Sequence, residues 1–144
     1  MACCYRRRGP TAEVLLVRTR RGAWTLPGGK VEPNEALPRA AAREAQEEAG
    51  VEGTIHAEPI AWVRLRKCPG DFLHTDATMT PVFLLEVRAL VEPYEGFRDP
   101  RWWPFDETER ALRHRRAPWS ARWLVPAVRA AAAALEGLGR PAGP

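Results

Sequence analysis

Apolar and polar positions change period several times along this chain, and each change marks an element. Residues 13–18 (Glu-Val-Leu-Leu-Val-Arg) form a short β-rich run and read as a strand. Residues 19–22 have the composition of a turn. Trp24-Thr25-Leu26 is extended and ends at Pro27-Gly28-Gly29, where paired glycines let the backbone approach a neighbour closely. A helix is predicted from Pro38 to Gly50: proline suits the first turn, glycine suits the C-terminal cap, and the residues between are mainly good helix formers. Ala41, Ala45 and Ala49 recur every four residues and give that helix a narrow packing face. Strands are predicted at 54–56 with 60–65, and at 82–89, with a polar loop at 67–80. The nearly continuous apolar run at 82–87 fits a central strand buried on both faces. A last short strand is expected at 101–105. Asp106 is then expected to N-cap a short helix reaching Arg113, with Glu109 completing a capping box. The final helix runs from Ser120 to Leu138, kinked or interrupted at Pro126. The pattern predicts an α/β fold, a mixed sheet sandwiched by helices, in one domain over 1–144 with flexible ends at 1–11 and 139–144.

The chain has 144 residues, enough for one domain with a real core. Apolar content of 45% and charged content of 28% are ordinary for a soluble globular protein. No apolar run is long enough for a transmembrane helix. Arg6, Arg7 and Arg8 are not followed by the hydrophobic core of a signal peptide, so the expected location is the cytoplasm. The three cysteines, Cys3, Cys4 and Cys68, suit neither a disulfide framework nor a zinc finger and read as free thiols. Net charge is +4, and the basic residues are arginine except for Lys30 and Lys67. That bias reflects base composition or a phosphate-rich ligand, which guanidinium forks suit.

The chemistry is concentrated on the first helix. Glu44, Glu47 and Glu48 are three and four residues apart and project from one arc beside the alanine face. Like charges at that spacing destabilise a helix unless something cancels them. Hard divalent cations take oxygen ligands, and Mg²⁺ combines one or two carboxylates with waters and substrate phosphates. The cluster therefore points to a Mg²⁺ or Mn²⁺ site; the bland alternative is a solvated acidic face. Arg43, four residues before Glu47, is placed to orient a carboxylate. Glu35 is expected to lock the preceding loop or hold a metal-bound water.

The run from Gly29 to Val51 reads G-x(5)-E-x(7)-R-E-A-x-E-E-x-G-V. It resembles the signature of the Nudix hydrolases with every fixed position filled. Seven specified residues at a frequency of roughly 6% each would match a given start about 3 times in a billion, so the match is not accidental. The resemblance implies an α/β/α sandwich carrying the signature on a loop–helix–loop, and hydrolysis of a diphosphate linked to another group. It implies metal ligands at Glu44, Glu47 and Glu48 with the Gly28 carbonyl. It implies a catalytic glutamate, with Glu44 or Glu47 favoured and Glu86 the downstream alternative. Over most of residues 13 to 125 the chain resembles the diphosphoinositol polyphosphate phosphohydrolases, which also hydrolyse diadenosine polyphosphates. The likeness rests on Trp24 to Glu35, on Arg101-Trp102-Trp103-Pro104-Phe105-Asp106-Glu107 with Ala111-Leu112, and on His114, Arg115 and Pro118. Lys30 stands where that group has a third glycine, and the 67–80 loop has no counterpart. Both departures point away from inositol pyrophosphate, and the arginine-rich, lysine-poor composition favours a nucleotide polyphosphate instead.

Arg18, Arg20, Arg21 and Lys30 flank the signature and are candidate phosphate ligands. Arg64, Arg66 and Lys67 form a second basic cluster. Trp62, Phe72, Trp102 and Trp103 are candidate stacking surfaces, and His74 is a candidate substrate contact. The leading expectation is a Mg²⁺- or Mn²⁺-dependent pyrophosphohydrolase of nucleoside polyphosphates, acting on a phosphorylated small molecule. Sanitation of nucleoside triphosphates, removal of a 5′ diphosphate from RNA, and a non-catalytic sensing module are the alternatives. Nucleic acid is the less favoured partner, no membrane is expected, and monomer and homodimer both remain open.

Overall fold

The computed structural model describes residues 1–66, 77–114 and 118–138. Its strands are β1 (Ala2–Arg8), β2 (Thr11–Arg18), β3 (Trp24–Thr25), β4 (Val51–Arg66), β5 (Ala77–Leu90) and β6 (Arg101–Pro104), and its helices are α1 (Leu37–Ala49), α2 (Phe105–Arg113) and α3 (Pro118–Leu138). A short 3-10 turn, Gly96–Arg98, precedes β6. The sheet order is β3-β2-β1-β5-β4, with β6 also paired to β2. β1 runs antiparallel to β2 and parallel to β5, so the sheet is mixed.

Strand alternation assigns the two faces. Cys3, Tyr5, Val14, Leu16, Val82 and Leu84 face α2 and α3, which contribute Leu112, Leu124 and Val128. Ala2, Cys4, Leu15, Val17, Phe83 and Leu85 face α1, where Ala41, Ala45 and Ala49 form the predicted narrow contact. The result is the α/β/α arrangement. Adjacent Cys3 and Cys4 fall on opposite faces, both buried and both free thiols; Cys68 lies outside the described residues. No helix among the described residues is long and apolar enough to cross a membrane.

The expected flexible segment 1–11 is overturned. Ala2 to Tyr5 are buried in β1, in the middle of the sheet. Three following arginines disguise the strand, but Arg6 is neutralised by Glu13 at 2.6 Å and lies over the Trp102 ring. The segment 139–144 lies outside the described residues. The two predicted runs 54–56 and 60–65 are one strand, β4, interrupted by register shifts around Pro59. β5 begins earlier than expected, because Thr78 and Thr80 pair with Leu65 and Val63; the rest of the expected loop, 67–76, lies outside the described residues.

α1 contains Pro38 in its first turn and ends where Gly50 adopts φ 64°, its N–H donating to the Gln46 carbonyl at 3.0 Å. A Cβ at Gly50 would overlap the Val91 carbonyl, so the left-handed cap and the close approach both call for glycine. The capping box on α2 does not form. Pro104 occupies the cap position, Asp106 sits inside the first turn, and the Thr108 hydroxyl donates to the Pro104 carbonyl at 2.9 Å. Glu109 instead accepts from Arg129 of α3. α3 continues through Pro126 without a break.

Candidate metal and diphosphate site

The predicted acidic residues of α1 meet the Pro27-Gly28-Gly29 loop, but each is held differently. Glu48 is 2% exposed. One of its oxygens accepts from Arg98 Nη2 at 2.8 Å and the other from the Gly28 N–H at 3.3 Å. Burial pushes its carboxyl up to about 7, against the opposing pull of Arg98. Glu44 lies directly over Gly29, where a Cβ would overlap its carboxylate. Glu47 is the most open of the trio, with 35% of its side chain exposed against 12% for Glu44.

Arg43 organises the open side. Its guanidinium donates to both oxygens of Glu35 at 2.9 and 3.0 Å, to the Lys30 carbonyl at 2.8 Å, to Glu44 at 3.0 Å and to Glu47 at 3.3 Å. Glu35 also accepts the Glu32 N–H at 3.0 Å. The Arg43 hydrogen bonds, with that N–H, hold the Glu35 carboxyl down at about 2. Glu35 therefore closes its own loop onto α1 through Arg43.

Arg98 is a partner of the acidic trio that the sequence reading missed. It sits in the 3-10 turn, binds Glu95 at 2.6 Å as well as Glu48, and donates to the Arg18 carbonyl at 3.3 Å. The Glu95 N–H donates to the Glu47 carbonyl at 3.0 Å, which clamps this turn to the end of α1. The usable signal was indirect: a carboxylate pressed against a sheet requires a cation, and Arg98 is the one arginine between β5 and β6.

The substrate-binding candidates separate. Arg18 is engaged by Asp99 at 3.1 Å and the Gly22 carbonyl at 2.9 Å, and it stacks over Trp24. Arg20 lies over the Phe97 ring. Lys30 and Arg64 are exposed. Glu86, the downstream base candidate, falls on the sheet face opposite α1 and pairs with Arg88 at 2.9 Å, so the fold does not bring it to the acidic trio. Trp103 packs edge-to-face on Trp24 at 5.4 Å within the core. Lys67, Phe72, His74, Arg115 and the Arg66 side chain lie outside what is described. A groove of about 690 Å³ runs along α1 past Glu35, Arg39, Arg43, Gln46 and Glu52.

The donor set fits a hard divalent cation in kind: carboxylates of Glu44 and Glu47, with the backbone of Gly28 facing the same helix. Among the described residues, however, no three acidic, histidine or cysteine side chains converge at metal-ligating geometry. The carboxylates turn instead toward Arg43 and Arg98, which supply the positive charge that the cluster demands.

Residues 1–125 match the NUDIX domain. Rat diphosphoinositol polyphosphate phosphohydrolase 2 is 35% identical over 118 residues, covering 77% of this chain and 60% of the relative. The CTP pyrophosphohydrolase of Escherichia coli K12 is 40% identical over 62 residues, covering 43% and 44% of the two chains. A crystal structure of a C. elegans Ap4A hydrolase binary complex superposes with a TM-score of 0.66 at 22% identity, over 94% of this chain and 96% of that one. The chain thus spans about 60% of the length of the rat relative. With the domain match reaching from the first strand into α3 and the signature helix placed against its glycine loop, the chain belongs to the Nudix family.

Proposed function

We propose that the chain is a Mg²⁺- or Mn²⁺-dependent hydrolase of a diphosphate linkage in nucleoside polyphosphates, dinucleoside polyphosphates being the favoured substrates. The observation that carries this reading is the acidic face of α1, unevenly buried and set against Gly28 and Gly29. A bound divalent ion would neutralise charge on the diphosphate and lower the pKa of the attacking water. Glu44, Glu47 and the Gly28 carbonyl would hold it. Glu47, the open member of the trio, is assigned as the acceptor of the water's proton. Arg43 orients Glu44 and Glu47 and ties both to the Glu35 loop. Glu48 braces α1 against the loop through the Gly28 N–H. Exposed Lys30 and Arg64 are the cations available to grip phosphate. The cytoplasm, where such nucleotides are made and used, is the proposed location.

The local similarity to CTP pyrophosphohydrolase favours a second reading, cleavage of a nucleoside triphosphate to monophosphate and pyrophosphate. Anion-exchange analysis of products separates the two. Purified protein would be offered diadenosine polyphosphates, nucleoside triphosphates and inositol pyrophosphate, with Mg²⁺, with Mn²⁺ and with a chelator. Metal-dependent cleavage is expected, and Glu47→Gln should slow it by about 100-fold or more, the usual share of a general base. Unchanged turnover in that variant would remove Glu47 from the role. No metal-dependent turnover of any substrate would overturn the hydrolase reading in favour of a sensing module.

A further inference from the structure

A single exposed apolar side chain is normal on a protein surface, but Trp62 belongs to a strip. On β5, Phe83 and Leu85 are buried beneath α1. Alternation carries the same face outward to Pro81 and Met79. Across the ladder, Trp62 pairs with Pro81 and Arg64 with Met79. Trp62 is 51% and Met79 49% exposed, and Arg64 is exposed beside them. This strip lies on the sheet face that carries α1, past the part that α1 covers.

The strip also leads to the acidic cluster. The Met1 nitrogen donates to the Pro81 carbonyl at 2.9 Å, and the Phe83 N–H donates to the Met1 carbonyl at 3.1 Å. The Ala2 N–H donates to the Pro27 carbonyl at 2.9 Å, next to the Gly28 N–H that holds Glu48. From Trp62 to Gly28 is therefore three strand spacings, about 14 Å. That distance suits a base and an extended polyphosphate better than it suits a monophosphate. An indole offers a face to any base and recognises stacking rather than sequence. Arg64 adds a positive charge at the outer end of the strip.

We propose that Trp62 is the platform on which a nucleobase of the substrate stacks, with Met79 and the Arg64 stem flanking it, while the polyphosphate crosses β5 and β1 toward Gly28 and Glu44. This assignment rests on the nucleotide hydrolase reading and makes the substrate class a nucleoside one. Two probes share a non-hydrolysable diphosphate and differ only in the nucleoside: α,β-methylene-ADP and methylenediphosphonate. Their binding with Mg²⁺ would be measured by titration calorimetry on wild type, Trp62→Ala and Trp62→Phe. The alanine variant is expected to weaken the nucleotide by about 5- to 100-fold and to leave methylenediphosphonate unchanged, with phenylalanine restoring most of the loss. Equal nucleotide affinity in Trp62→Ala, or an equal loss for both probes, would overturn the platform. So would a wild type that binds only the diphosphonate, or a Trp62→Ala variant that turns a dimer into a monomer in sedimentation with nucleotide affinity intact. Nucleotide binding that depends on Trp62, without turnover of any substrate, would sink the hydrolase reading and leave the platform standing.

Discussion

Glu48→Gln should change how the stability of the metal-free protein responds to pH. Burial holds the Glu48 carboxyl at about 7, against 4.5 for an ordinary glutamate. Below pH 4.5 the folded and unfolded chains both keep the proton. Between about 4.5 and about 7 the unfolded chain releases it while the folded chain retains it. The folded state then binds more protons, and stability falls as pH rises. Above about 7 both are ionised and the loss levels off. Holding the proton across that window costs about 3 kcal/mol, or about 10 °C of Tm in a chain of this size. Glutamine fills the same space and still accepts from Gly28, but it does not titrate. Its weaker bond to Arg98 adds an offset that does not vary with pH across this window. The Tm difference between variant and wild type should therefore grow by about 10 °C from pH 4.5 to 7.5. Circular dichroism melts in chelator at half-unit pH steps would measure it. A difference that stays flat with pH would refute the claim that Glu48 is held buried against its ionisation.

Two other substitutions probe the same helix. Arg43→Lys keeps the charge but loses the planar fork that reaches both oxygens of Glu35 while touching Glu44 and Glu47; Mn²⁺ affinity by calorimetry should fall about 10- to 100-fold, and unchanged affinity would show that the fork does not organise the site. Ala45→Leu forces a larger side chain between α1 and the sheet at a position with no exposed surface, and urea unfolding should report a loss of about 1–3 kcal/mol. A neutral result there would mean that the alanine stripe is not closely packed.

What could be read from the sequence follows the range of the interactions involved. α1 was legible because its limits are set locally, by Pro38 in the first turn and by Gly50 at positive φ. Its alanine stripe is also local, since every fourth residue shares a face whatever it packs on. β1 was not legible, because a strand is defined by its partners, and although β2 follows it directly, β5 on its other side lies far along the chain. Ala2 to Tyr5 are too few, and too close to three arginines, to announce themselves. The pairing of Arg6 with Glu13 and Trp102 that makes those arginines tolerable appears only once β1, β2 and β6 are assembled. The failed capping box has a similar origin: Asp106 and Glu109 have the right spacing, but Pro104 takes the cap position and Arg129 of α3 claims Glu109.

The same distinction divides the acidic trio. Spacing alone puts Glu44, Glu47 and Glu48 on one arc, and that much is helix geometry. Spacing does not say that Glu48 is buried and Glu47 open, because the difference comes from Arg98, fifty residues along the chain, folding back over the C-terminal end of α1. A carboxylate whose two oxygens already accept from Arg98 and from Gly28 is poorly placed to take a proton from water. An open carboxylate one residue earlier, steadied among the described residues by Arg43 at 3.3 Å, is free to do so. Three chemically identical side chains thus acquire different tasks from what packs on them: Glu48 braces the glycine loop, Glu44 lies over Gly29, and Glu47 faces solvent. If Glu47→Gln and Glu48→Gln cost the same in turnover, that division of catalytic tasks fails, even where only the second changes the pH dependence of stability.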